Sequence, residues 1–226
     1  MNGYEPAPGR MRAVPLFPLP NVVLFPHTIL PLHVFENRYQ QMVTDSFDGG
    51  LRFAITLLKP GWEKDYFGRP PIEPVMCVGK IVEWERLSDG NYNLLLQGIY
   101  RAKMLFEIHH NLPYRVGLLQ QLEESTVQET DLSAERRQMV EMFGDDVCGP
   151  DDLDRQFRER LAGPTETSVI ADLMAYIFID DVEMKQSLLE EVDVRRRVER
   201  TLEMTRHYRQ QYKHLILRQN ERPSMN

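Results

Sequence analysis

Residue types that could carry out catalysis occur in this sequence, but none stands in the spacing that the chemistry requires. Lys80 follows Gly79, yet a phosphate-binding loop GxxxxGK[ST] also needs an upstream glycine and a hydroxyl residue where Ile81 stands. No serine lies in a GxSxG motif, and no histidine pair forms HExxH. Cys77 and Cys148 are far apart and lack the CxxC spacing of zinc sites. The sequence therefore predicts no catalytic residue, no metal ligand and no cofactor.

The best candidates for a binding role are aromatic side chains in one loop. The segment from Lys59 to Pro74 contains four prolines and two glycines, a composition typical of a loop. The aromatic side chains of this loop either fold back as a lid over the sheet or contact a partner. The second alternative is considered because large exposed apolar groups mark partner sites. Arg38, on the polar face of a predicted helix, is either a partner contact or a solvated charge, and we favour the second. The candidate partner-binding residues are Trp62, Tyr66, Phe67 and Arg38.

Before residue 125 the apolar residues mostly alternate, as they do in β-strands. The run from Leu51 to Leu58 predicts a half-buried strand. Asp89 and Gly90 stand between two apolar runs and predict a hairpin turn, since Asp-Gly suits the positive-φ positions of a type I′ turn. Gly98 interrupts the second run, which predicts a bulge or bend with a backbone conformation that only glycine adopts at low cost.

Helical periodicity occurs once within this β-rich part and then throughout the rest of the chain. An early helix is predicted from about Phe35 to Ser46, and its inward stripe is Phe35, Tyr39, Met42, Val43 and Phe47. From about Thr130 to Gln219 the apolar period is again helical. We therefore predict an α+β protein. Its expected parts are a disordered leader (1–12), a β-rich subdomain (13–124), a helical subdomain (125–220) and a tail (221–226).

The segment from Val14 to Val43 has closely spaced prolines between apolar residues, which is incompatible with a continuous helix or a central strand. This extended chain, followed by a helix, resembles the start of the substrate-binding (amino-terminal) domain of Lon proteases, PLxxxVVxFPxxxxPLxV. The matching residues are Pro18, Leu19, Val22, Val23, Phe25, Pro26, Pro31, Leu32 and Val34.

Two later segments extend the resemblance to most of the chain, from about Ala13 to Ile216. Positions of the family's VGxV, DG and GxxR elements are matched by Gly79, Asp89, Gly90, Gly98 and Arg101. In the helical part, the matching segments are Ala171 to Ile177, Lys185 to Glu190 and Asp193 to Arg197.

The resemblance implies a fold and a function. The implied fold is an N-terminal PUA-like β-barrel with one helix, followed by a C-terminal α-helical bundle. The implied function is a non-catalytic protein-binding module whose partners are protein or peptide segments, such as unfolded substrates or a separate protease. A full Lon protease continues into an ATPase module and a Ser-Lys peptidase module, and we expect this chain to end before both.

Two other function classes are weighed against this interpretation. RNA binding is the alternative, because PUA-like barrels also occur in RNA-binding proteins and basic residues outnumber acidic ones nine to three from Val194 onward. The net charge of −7 opposes phosphate binding, so a nucleic-acid partner is not expected. A peptidase is disfavoured by the missing motifs. No apolar run approaches the ~18 residues of a membrane span, and Met1 to Met11 lacks a secretory signal, so we expect no membrane partner and, by default, a cytoplasmic location.

Overall fold

Six β-strands form one sheet in the computed structural model, which describes residues 9–66, 68–143 and 159–220. The strands are β1 (Met11–Leu19), β2 (Ile29–Val34), β3 (Arg52–Leu57), β4 (Val75–Arg86), β5 (Tyr92–Ile108) and β6 (Arg115–Gln121). The β1–β3 pair is parallel and the other pairs are antiparallel. The order is β2-β5-β4-β3-β1-β6, and β6 also pairs with β5. The pairings therefore run from β5 through β4, β3, β1 and β6 back to β5.

The helices of the described residues lie mostly in the second half of the chain. They are α1 (Asn37–Asp48), α2 (Ser133–Phe143), α3 (Thr167–Phe178), α4 (Val182–Glu190) and α5 (Val194–Asn220). Residues 159–162 are also helical. Short 3₁₀ turns occur at Trp62–Asp65 and Glu129–Leu132. The fold is therefore a mixed α and β architecture.

Backbone contacts divide the chain into two units, and the division places α4 with the sheet. The first unit comprises Met1–Glu124 and Val182–Val192, and the second comprises Ser125–Asp181 and Asp193–Asn226. Gln186 in α4 donates a hydrogen bond to the carbonyl oxygen of Val75 at 3.0 Å. The Leu189 carbonyl oxygen accepts one from Arg101 Nε, also at 3.0 Å. These bonds explain why α4, which lies inside the expected helical subdomain 125–220, belongs to the first unit.

Strand β3 is buried on both faces, so the predicted half-buried strand is wrong. Its larger side chains point to one face, where Phe53 lies 6.0 Å from Phe17 between ring centroids. Its smaller side chains, Ala54 and Thr56, are also buried. Ala54 belongs to an apolar cluster with Leu16 and other core residues. Strand β3 lies between β1 and β4, and both of its faces are covered. Its large and small side chains therefore alternate, but buried and exposed side chains do not.

The start of β1 corrects the expected leader. Met11 and Arg12 pair with Gln120 and Leu119 of β6. The expected disordered leader (1–12) therefore ends with two residues that are in fact part of a β-strand. Residues 1–8, and the expected tail 221–226, lie outside the described part of the chain.

Phe35 does not belong to the inward stripe of α1. It precedes the helix, is 64% exposed, and stacks on His33 with 6.1 Å between ring centroids. The prediction fails at this position because Glu36 has an extended backbone (φ −73°, ψ 131°), so helical periodicity begins only after it. The other members of the stripe turn inward as predicted: Tyr39, Met42 and Val43 are buried, and Phe47 is half-buried.

The second unit has its own apolar core. Its buried members are Leu132, Met139, Met142, Leu161, Ile170, Ala171, Leu173, Met174, Val194, Val198 and Leu202. An ion pair is also buried in this unit: Arg197 Nε of α5 lies 3.2 Å from Asp172 Oδ1 of α3. The helices α3 and α5 are therefore joined by both apolar packing and a buried charge pair.

Candidate functional site

The loop from Lys59 to Pro74 is tied to the sheet at both ends. Leu58 and Ile72 form an isolated antiparallel bridge. The Lys59 N–H donates to the Pro71 carbonyl oxygen at 2.9 Å, and the Glu73 N–H donates to the Leu57 carbonyl oxygen at 2.8 Å. Between these anchors the chain forms the 3₁₀ turn. The two ends of the loop are therefore held together by backbone hydrogen bonds, and this pairing restricts the positions of the aromatic side chains between them.

Trp62, in the 3₁₀ turn of this loop, is partly buried. Its side chain packs against the apolar cluster that contains Leu58 and Ile72. Its ring meets the Tyr66 ring edge-on, with 5.5 Å between centroids and an interplanar angle of 60°. On its exposed side it borders a cleft of about 440 Å³, here called the Trp62 cleft. The wall of this cleft includes Pro20, Leu57, Leu58, Trp62, Glu73 and Glu190.

Tyr66 and Arg38 meet at a shared carboxylate. The Tyr66 hydroxyl donates to Glu36 Oε1 at 2.6 Å, and Arg38 Nε donates to Glu36 Oε2 at 3.0 Å. The Arg38 guanidinium carbon lies 5.1 Å from the Tyr66 ring centroid and 4.6 Å from that of Tyr39, within cation–π range. Burial, helped by the hydrogen bond to Glu36, raises the pKa of the Tyr66 hydroxyl. Arg38 is therefore held by ordered partners and is not a solvated charge.

A second cavity, here called the arginine cavity, opens on the Tyr66 side of the loop. Its volume is about 300 Å³, and its wall includes Arg38, Arg69, Arg115, Tyr39, Tyr66 and Tyr114. Burial raises the pKa of Tyr39 to about 12, although the nearby guanidinium group of Arg38 opposes that rise. The Tyr114 hydroxyl donates to Asp45 Oδ2 at 2.7 Å, and burial raises its pKa as well. The tyrosine hydroxyls therefore stay protonated at neutral pH.

The structure brings three of the four candidate residues together. Trp62 and Tyr66 touch each other, and Arg38 contacts Tyr66, whereas Phe67 lies outside the described residues. The sequence reasoning missed Arg69 and Arg115, which share the Glu107 carboxylate. Arg69 stands in the same loop as the aromatic candidates and could have been noticed there. Arg115 follows a separate turn, and no local pattern marks it.

Within residues 9–66, 68–143 and 159–220, no group of three or more His, Cys, Asp or Glu side chains is placed to hold a metal ion. The same residues contain no helix that is both long enough and apolar enough to cross a membrane. The described residues form several concave surfaces. Two of them are neighbours, because Leu58 lines both, and a further cleft of about 440 Å³ lies beside Trp84. This arrangement is suited to binding a chain-like ligand.

Comparison with known proteins gives consistent matches. The sequence model of the ATP-dependent protease La (LON) substrate-binding domain matches residues 13–207. A Lon protease 2 from Sorangium cellulosum is 29% identical over 199 residues, which are 85% of this chain and 24% of that protein. The chain spans about a quarter of the length of the curated relatives that it matches.

Two solved structures show the same fold. A Lon N-terminal domain protein from Xanthomonas campestris has a TM-score of 0.62 at 23% identity, with 84% of this chain and 97% of that chain covered. The N-terminal domain of a Mycobacterium avium complex Lon protease has a TM-score of 0.65 at 16% identity, with 86% and 98% covered. Together with the family match over residues 13–207, this likeness leads to one conclusion. The chain belongs to the family of Lon substrate-binding domains.

Proposed function

We propose that this chain is a non-catalytic protein-binding module that captures extended apolar segments beside the Lys59–Pro74 loop. The observation that carries the proposal is the contact between Trp62 and Tyr66, which border two adjacent clefts. An extended segment that follows the loop past these two rings would contact both clefts. Aromatic side chains are efficient anchors because they offer a large contact area with few rotatable bonds. The family's description as substrate-binding supports the same function.

The proposal includes the nature of the partner and the absence of chemistry. The partners would be unfolded protein substrates or segments of a separate protease. Catalysis is excluded from the proposal because the sequence has no phosphate-binding loop and no recognisable nucleophile motif. The family match supports a binding role, since it extends over the substrate-binding domain at residues 13–207. We place the protein in the cytoplasm as part of this proposal.

We also propose a β-barrel and a helical bundle as the two parts of the fold. The closed series of strand pairings, from β5 through β4, β3, β1 and β6 back to β5, supports a PUA-like barrel. The shared apolar core of α2, α3 and α5 supports a C-terminal helical bundle. We also propose a boundary between two folding units near residue 125, with α4 contributed to the first.

The proposed function predicts that Trp62→Ser and Tyr66→Ser each weaken capture of unfolded protein. Each change removes an anchor from the border of a cleft, and loss of such an anchor costs about tenfold or more in affinity. The measurement is the dissociation constant for fluorescein-labelled casein, a natively unfolded protein, by fluorescence anisotropy. Thermal unfolding of each variant is measured in parallel, because Trp62 also packs against the core.

Phe106→Ser is the matched control. Phe106 is 57% exposed and lies on β5, outside both clefts, so its loss should leave casein binding unchanged. Equal casein binding by wild type, Trp62→Ser and Tyr66→Ser would contradict the proposed site. If both loop variants instead unfold well below the wild-type temperature, the rings act as core residues and the site is wrong.

A further inference from the structure

The wall of the arginine cavity has an unusual charge distribution. Among the described residues that line it, Arg38, Arg69 and Arg115 carry guanidinium groups and none carries a carboxylate. The rest of the wall includes three tyrosine rings and apolar side chains such as Leu58 and Leu112. The cavity therefore combines a cationic wall with aromatic and aliphatic surface.

The carboxylates that balance this charge orient the arginines without lining the cavity. Glu36 accepts a hydrogen bond from Arg38 Nε at 3.0 Å. Glu107 pairs with two arginines, accepting from Arg115 Nε at 3.0 Å and lying 3.5 Å from Arg69 Nη1. Three guanidinium groups thus share two carboxylates, which hold the planar groups in fixed orientations.

The other acids near the cavity already have donors. Asp45 accepts the hydroxyl of Tyr114 at 2.7 Å, and Asp65 accepts the backbone N–H of Arg69 at 3.1 Å. The side-chain contacts that Arg69 makes with described residues all involve Nη1, although a guanidinium group has five N–H donors. Arg69 therefore retains donors for a ligand in the cavity.

The size and the electrostatics of the cavity limit what it can hold. A volume of about 300 Å³ is at the lower end of the range for small-ligand pockets, so it suits one charged group with an adjoining side chain. Burial raises the pKa of Tyr39, and the guanidinium groups of Arg38 and Arg115 both oppose that rise, as expected for positive charge beside the cavity wall. An anionic group in the cavity would gain charge-assisted hydrogen bonds.

We propose that the arginine cavity binds a carboxylate of the captured protein segment, with the adjoining apolar side chain packed against the tyrosine rings. This inference rests on the proposed function and specifies its substrate class. The carboxylate can come from the C-terminus of a chain or from an Asp or Glu side chain within it. Planar guanidinium groups match a carboxylate through two parallel hydrogen bonds, which gives the site its selectivity.

The test compares three short fluorescein-labelled peptides of otherwise identical sequence by anisotropy. One ends in Leu-Leu with a free carboxylate, the second has the same end amidated, and the third is amidated with Glu replacing the last Leu. The wild type should bind the free acid about tenfold more tightly than the amide, because the amide leaves the charged site unsatisfied. The Glu peptide identifies the source. Affinity like that of the free acid indicates that the site accepts either carboxylate, affinity like that of the amide indicates the C-terminus, and tight binding of the Glu peptide alone indicates a side-chain carboxylate.

Arg69→Gln is the main variant, because Arg69 has a side chain 44% exposed and its loss should leave the fold intact. It should bind the free acid only as well as the wild type binds the amide. Arg38→Lys keeps the charge but loses the planar group, so it should weaken binding of the free-acid peptide by about threefold. Arg86→Gln, which removes an exposed arginine outside the cavity wall, should change nothing.

The outcomes separate this inference from the proposed function. If the acid, amide and Glu peptides all bind the wild type equally while Trp62→Ser weakens all three, the carboxylate site is wrong and the protein-binding function stands. If Arg86→Gln weakens the free acid as much as Arg69→Gln does, the effect is general charge attraction and the site is again wrong. If neither casein nor any peptide binds, both the function and the inference are overturned.

Discussion

Replacing Gly98 with valine is expected to lower the free energy of unfolding of the first unit by about 3–5 kcal/mol, the sum of overpacking and of lost backbone hydrogen bonds. A Cβ at this position would overlap the carbonyl oxygen of Phe25 and lie 2.8 Å from its carbonyl carbon. The turn that carries Phe25 is held on Gly98 by two bonds. The His27 N–H donates to the Gly98 carbonyl oxygen, and the Gly98 N–H donates to the Thr28 carbonyl oxygen, both at 2.9 Å.

Urea denaturation followed by tryptophan fluorescence measures this effect selectively. The chain has two tryptophans, Trp62 and Trp84, and both lie in the first unit. Gly79→Ala is the matched control, since Gly79 pairs with Gly98 across β4 and β5. The three atoms nearest to its Cβ, at 2.6–3.0 Å, all belong to the Leu96 side chain, whereas a Cβ at Gly98 meets the Phe25 backbone. A side chain shifts at lower cost than backbone, so the control should cost less. An unchanged urea midpoint for Gly98→Val would show that the Phe25 turn does not dock closely on Gly98.

Gly98 also shows which part of the fold the sequence predicts. The predicted irregularity is confirmed, because the β4–β5 register shifts between Val78 and Gly79, beside the pairing of Gly79 with Gly98. The predicted reason is wrong. Gly98 is not among the glycines with positive φ, and glycine is needed there because the Phe25 backbone approaches closely. A break in strand alternation is a local signal, whereas the approach of a segment more than 70 residues earlier in the chain leaves no local mark.

Local turn chemistry is predicted in part. Gly90 has φ 90° as expected, and its N–H donates to the Leu87 carbonyl oxygen at 3.0 Å. Asp89 is not among the residues with positive φ, so the predicted turn is present but its predicted type I′ is wrong. The Asp89 carboxylate accepts the Asn91 N–H at 3.0 Å and stabilises the same turn. Every group that fixes this conformation lies within a few residues, so the sequence alone contains the information.

The candidate site is the opposite case. Its residues come from α1 (Arg38), the Lys59–Pro74 loop (Tyr66 and Arg69) and the start of β6 (Tyr114 and Arg115). Composition identifies the loop because aromatic side chains among prolines and charges are conspicuous. Which charges face that loop depends on the pairing of β1 with β3 and β6, and strand pairing between distant segments cannot be read from periodicity. The sequence therefore identifies Tyr66 and Arg38 as candidates and misses Arg69, Tyr114 and Arg115.

The second large effect is expected in the second unit, where Arg197→Met should lower the free energy of unfolding by about 3–5 kcal/mol. The side chains of Arg197 and Asp172 are only 1% and 3% exposed, and Arg197 Nε lies 3.2 Å from Asp172 Oδ1. Methionine fills a similar volume but leaves the Asp172 carboxylate buried without that cation. Removing one partner of a buried ion pair costs far more than an exposed pair contributes.

Far-UV circular dichroism in urea reports helix loss in this unit, while the fluorescence of Trp62 and Trp84 reports on the first unit separately. The double variant Arg197→Met/Asp172→Leu removes both charges and should recover most of the stability that Arg197→Met loses, because an apolar pair of similar volume often replaces a buried ion pair without cost. The recovery distinguishes a charge effect from a packing effect. If the double variant is as unstable as the sum of the two single variants, the loss comes from misfit side chains, and the ion pair does not hold α3 to α5.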